Sequence, residues 1–176
     1  MVANTSIAAP AADITADDAL PKRVARLAGI VGGEHFPAAD RASLKRWAPG
    51  QPPPLAFYRI WLRDIDADLP AAAQAPSWML MAWGLAFGVA HQRDRPLGRA
   101  LAESRFAEAR LERLLGAAPD ILPELMVSAI RFLAAKSDSI DWLDVARLLL
   151  TQDAGKREAI HRRIAESYFR HQPRKE

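Results

Sequence analysis

The stretch WMLMAWGLAFGVA, Trp78 to Ala90, restricts the folds open to this chain more than any other segment. It is apolar on every side, yet it falls well short of the ~20 residues a helix needs to cross a bilayer. A helix of that kind must be wrapped by others, as the central member of a small bundle is. Gly84 and Gly88 would let a neighbouring helix approach it closely. Half of the 176 residues are hydrophobic, so enough apolar surface exists to enclose it within one domain.

The flanking sequence supplies helices to do the wrapping. Alanine and leucine abound, glycine is scarce, and no alternating β-branched runs announce strands. In PKRVARLAGIV, Val24, Leu27 and Val31 form one stripe, with Pro21 suited to a first helical turn and Gly32-Gly33 to an end. Asp40 is positioned to cap RASLKRWA, in which Leu44 and Trp47 face inward. GQPPPL then interrupts the helices with a stiff, extended segment. Phe57, Ile60 and Trp61 of AFYRIWLRDI make an aromatic stripe, read as core packing rather than a base-stacking platform. In PELMVSAIRFLAAK only Glu124, Ser128 and Arg131 form a polar edge. Trp142, Val145 and Leu149 line one later helix, and Ile160, Ile164 and Tyr168 the last, which turns Arg162, Arg163 and Arg170 outward.

The expected fold is therefore all-α: one compact helical bundle over residues 20–176, with two lobes meeting near residues 91–97 as a variant of it. MVANTSIAAPAADITADDAL has neither a basic leader nor a long apolar core, so residues 1–19 read as a disordered tail and not a secretory signal. With no cysteine there is no disulfide or thiolate chemistry, and a cytoplasmic setting fits best. Asp13, Asp17 and Asp18 fall where no lysine or arginine offsets them, so without these three acids the net charge of +3 becomes +6. Surplus positive charge suits a polyanionic partner.

Sequence signs of catalysis are wanting. His35, His91, His161 and His171 have no partners at metal-site spacing. Asp64, Asp66 and Asp68 alternate like the start of a calcium loop, but Leu69 stands where glycine is needed and Ala75 where the closing glutamate belongs. GIVGGEH lacks the lysine and hydroxyl of a phosphate loop, and no G-x-S-x-G elbow occurs. We expect no enzyme and no cofactor. A metal-dependent nuclease built on Asp64 to Asp68 is the rival on the catalytic side.

One leucine-rich segment, PLGRALAESRFAEARLERLL, mixes Arg99, Arg105, Arg110 and Arg113 with Glu103, Glu108 and Glu112. As one helix it would place Phe106 among the cations, so a break is expected near Ser104, with Ser104 capping the second half. Arg110 and Arg113 remain neighbours at i,i+3. Either Glu108 and Glu112 offset them locally or they form a stripe that follows phosphates, and periodicity alone leaves both open.

In order along the chain, SLKRW, AFYRIW, His91 before LGRALA, EARLERLL, IRFLAAK, IDW with ARLLL, GKRE and RRIAESYF resemble the CasB family, the small subunit of the type I-E CRISPR surveillance complex Cascade. The resemblance spans roughly residues 40–170. It implies an all-helical, non-catalytic subunit that contacts the large subunit, the repeated backbone subunit and a second copy of itself, with guide RNA and target DNA nearby and no membrane. It further implies stabilisation of the R-loop, in which guide RNA pairs with one DNA strand and the other is displaced. Carried over by motif, the strand contacts are Lys45 and Arg46 of SLKRW, Arg110 of EARL, Arg131 of IRFL, and Lys156 with Arg157 of GKRE. Arg99 of LGRALA and Arg113 join them from the helix reading and the motif, with a structural role as the alternative for both. The chain departs from the family pattern where Ile130-Arg131 replaces a paired arginine, where LLLTQD lacks a tryptophan, and at Ile164. The rival non-catalytic reading is a helical protein–protein adaptor without direct nucleic-acid contact.

Overall fold

Helices account for most of the described residues. The structure, a computed structural model, describes residues 14–173. Its helices are α1 (Ile14–Val31), α2 (Ala38–Lys45), α3 (Leu55–Ile60), α4 (Ala75–Phe87), α5 (Leu97–Glu103), α6 (Glu108–Leu115), α7 (Leu122–Ala135), α8 (Trp142–Leu150) and α9 (Ala154–His171). The fold is all-α, as expected. Two features depart from the sequence reading at the start of the chain. Helix α1 opens at Ile14, so residues 14–19 are helical rather than tail, and Pro21 lies inside it instead of in its first turn. The rest of the expected tail, residues 1–13, lies outside the described residues.

α4 is the hub. Its residues from Trp78 to Ala86 are all buried, and α1, α2, α7 and α8 pack around it. Gly84 is the reason one neighbour comes so close: a methyl there would lie 2.2 Å from the Trp142 ring of α8 and 3.2 Å from Ile130 of α7. Gly88 does something else. It ends α4 at φ +120°, a conformation that side chains disfavour, with open space where a Cβ would be. The buried residues form one cluster from Val24 to Tyr168 that continues through Leu97, so the core is uninterrupted across residues 91–97.

α3 runs on into a π-helical turn, Trp61–Ile65, closed by the Asp66 amide donating to the Trp61 carbonyl at 3.0 Å. The turn brings Trp61 edge-on to Trp78, ring centres 4.8 Å apart, with Phe57 beside it. Phe57, Ile60 and Trp61 are thus core, as read from the sequence.

Two short strands escaped that reading: β1 (Ala90–His91) and β2 (Ser139–Ile140) pair in parallel, Ala90 with Ser139 and His91 with Ile140. A two-residue strand carries no alternation to detect. The pair fastens the connection before α5 to the one before α8. Asp40 is also not a cap: α2 begins after Pro37, and the Asp40 carboxylate pairs with Arg59 of α3.

α5 and α9 meet backbone to backbone. A methyl on Gly98 would lie 2.1 Å from the Ile164 carbonyl oxygen and 2.9 Å from the Tyr168 nitrogen. The Tyr168 hydroxyl, in turn, donates to the Phe106 carbonyl. Among the described residues no helix is long and apolar enough to cross a membrane.

Candidate nucleic-acid interface

Several carboxylates are in ion pairs with arginines. Asp66 pairs with Arg23, Asp40 with Arg59, Asp64 with its neighbour Arg63, Asp144 with Arg163, and Glu166 with Arg170. Arg23 holds the Asp66 carboxyl below its ordinary pKa, and the Asp68 amide adds to the effect. Carboxylates tied to arginines in this way are poor metal ligands. No cluster of three or more His, Asp or Glu side chains suited to a metal occurs among the described residues.

The cations carried over by motif are placed differently. Of the eight, Arg99 alone is in an ion pair, its Nε 2.8 Å from Glu103 of the next turn. Lys45 and Arg46 are exposed at the end of α2, Arg110 and Arg113 on α6, Arg131 on α7, and Lys156 in the first turn of α9, none of them bridged to a carboxylate within the described residues. Arg157 is half-buried and donates to the Thr151 carbonyl at 3.1 Å, so its guanidinium is anchored on the α8–α9 turn. Arg110 and Arg113 are one turn apart on α6, whereas Lys45–Arg46 and Lys156–Arg157 are neighbours in sequence. No hydrogen bond or ion pair links one group to another, and Arg131 stands apart with its guanidinium 5.7 Å from the centre of the Trp83 ring.

α6 explains why its arginines stay free. At about 100° per residue, the buried Leu111 and Leu114 define one stripe, with Glu108 and Glu112 along one border and Arg110 and Arg113 along the other. The two glutamates line a groove against His161 and Phe169 of α9. They are on the wrong side of the helix to neutralise the arginines. Position 130 has a similar logic: Ile130 is buried against Gly84, so a basic side chain there would enter the core rather than reach solvent.

The break near Ser104 is real, but Ser104 ends α5 and does not cap α6, which starts after Ala107. Arg105 takes φ +62°, its amide donating to Ala102 at 3.0 Å and the Phe106 amide to Leu101 at 2.8 Å. This is a Schellman ending with arginine where glycine is usual, and it turns Phe106 into the core. α7 ends the same way at Ser137, φ +52°.

Between these two helix ends lies a network the sequence reading missed. Asp138 accepts from Arg95 through both oxygens, at 2.8 and 3.0 Å, from Ser104, and from the Ser139 amide at 2.8 Å. Arg95 also reaches Glu103 at 2.6 Å. A second missed group is Asp144, 5% exposed, which accepts from the first amide of α5, Leu97, at 3.0 Å and holds Arg163 of α9. Its signal was an aspartate set within the apolar stripe of α8.

Burial pushes the Asp138 pKa up, but Arg95, Ser104 and the Ser139 amide outweigh it and hold the value below the ordinary one. Glu103 is lowered too, by Arg99 first and, against partial burial, by Arg95. A lowered folded-state pKa contributes stability that is complete above the unfolded value of about 4 and is lost as pH falls through the folded value. Asp138→Asn should accordingly cost ~1–2 kcal/mol at pH 7, and the gap to the parent should narrow by pH 3. Urea unfolding at both pH values checks this, and a gap that does not narrow contradicts the assignment.

Fold and surface together define a class: a small all-helical protein in which, among the described residues, some of the carboxylates are paired with arginines and seven of the eight motif cations are in no ion pair. The chain belongs to the CRISPR-associated protein Cse2 family, whose model matches residues 40–169. That family is the CasB small subunit of type I-E Cascade. No curated protein and no solved structure matches the chain.

Proposed function

We propose that this chain is a non-catalytic Cascade subunit that stabilises the R-loop by holding the displaced DNA strand on its free cations, Lys45, Arg46, Arg110, Arg113, Arg131 and Lys156, with Arg157 alongside. The observation that carries the proposal is the division of charge. Arg95, Arg99 and Arg163 are bound to carboxylates, whereas the seven named here are not. Arg99 takes the structural role.

Exchanging a DNA duplex for an RNA–DNA heteroduplex is nearly balanced in free energy, so weak capture of the expelled strand is enough to shift the outcome. Phosphate contacts do this without reading sequence, which the guide RNA already does. In this role the chain works in the cytoplasm beside the large subunit, the repeated backbone subunit, the guide RNA and a second copy of itself, and it needs no cofactor.

The test is R-loop yield from the reconstituted complex with and without this chain, at matched subunit occupancy. A lower yield without it supports the proposal. An equal yield refutes it. If complex assembly fails while neutralising the seven cations leaves R-loops intact, the chain is an adaptor.

A further inference from the structure

Two large aromatic side chains stand exposed among the described residues, Phe87 at 38% and Phe169 at 52%. Their electrostatic settings are opposite. Phe169 lies in the groove walled by Glu108 and Glu112, where a polyanion would be repelled. Phe87, the last residue of α4, stacks on Trp83 with ring centres 5.0 Å apart and planes 27° from parallel. The same Trp83 ring bears the Arg131 guanidinium, which has no carboxylate partner among the described residues. One buried tryptophan therefore contacts both an exposed aromatic ring and a cation with no carboxylate partner among the described residues. Directly after Phe87, Gly88 at φ +120° ends the helix.

We infer that Phe87 and Arg131 form a subsite for one unpaired nucleotide of single-stranded DNA, the base stacking on Phe87 and its phosphate meeting Arg131. The inference rests on the strand-binding role proposed above and adds a base contact to it. Stacking accepts any base because every base has a π-face, so the subsite adds affinity without sequence preference. Trp83, covered and packed in the core, is the ring that both side chains contact.

The experiment compares the affinity of the full-length protein for two labelled oligonucleotides of equal length, one with bases and one an abasic backbone, at one low salt concentration. The parent should bind the base-bearing strand at least roughly five-fold more tightly. Phe87→Leu, which keeps apolar bulk against Trp83, should reduce that ratio towards one with the abasic affinity unchanged, and Phe87→Tyr should preserve it. Equal affinities in the parent overturn the subsite while leaving phosphate capture intact, and need no variant to be seen. A ratio that survives Phe87→Leu overturns it as well. Failure to bind either strand removes the strand-binding role and the subsite together.

Discussion

Gly98→Ala lowers stability by ~3 kcal/mol, because the new methyl must occupy space already held by the backbone of α9 at Ile164 and Tyr168. Backbone atoms at 2.1 and 2.9 Å cannot rotate aside as a side chain can, so the two helices must separate along their contact. Separation also strains the Tyr168 bond to the Phe106 carbonyl. For a chain of this size the midpoint of thermal unfolding should fall by ~6–12 °C. The same substitution at Gly29, exposed on α1 with nothing within 4 Å, should raise stability by ~0.5–1 kcal/mol through helix propensity alone. Opposite signs from one chemical change, read in parallel melts, are the signature of close backbone packing. Two losses of similar size would contradict it.

The second large effect concerns Arg110 and Arg131. Reversing both to glutamate removes two free cations and puts two repulsive charges in the proposed path of the strand. Both side chains are exposed and neither is in an ion pair among the described residues, so the helical circular dichroism spectrum should be unchanged. R-loop formation should nevertheless fall by an order of magnitude or more, since each single-strand phosphate contact contributes ~0.7 to the salt slope and reversal costs more than neutralisation. An unaltered R-loop yield would show that the strand takes another route. Arg99→Glu is the contrasting variant: it breaks the pair with Glu103 and should act mainly on stability.

Which features were legible in the sequence follows from the range of the forces involved. The buried α4, the stripes of α1, α7, α8 and α9, and the break near Ser104 are all set by local hydrophobic periodicity. Local pattern failed where a contact is made across the fold. Gly84 and Gly88 look alike in sequence, yet one admits Trp142 and the other ends a helix. Asp40 resembles a cap and is a partner for Arg59. Arg105 and Ser137 close helices in the conformation that glycine usually marks, and so they gave no punctuation to read. Asp138, Asp144 and the β1–β2 pair join segments more than forty residues apart, a distance periodicity does not span. In the candidate interface the cations were legible as motif residues. Arg99 is committed to Glu103 one turn on in α5, whereas Arg110 and Arg113 occupy the border of α6 away from Glu108 and Glu112.

The central claim, that free surface cations capture single-stranded DNA by charge, is tested most directly by the salt dependence of binding to the isolated chain. If each of the four groups, Lys45–Arg46, Arg110–Arg113, Arg131 and Lys156–Arg157, neutralises one phosphate, the logarithm of the association constant should fall against the logarithm of salt concentration with a slope of about −3. Two strands of unrelated sequence should give the same line. Binding indifferent to salt, or none at low salt, would contradict the account.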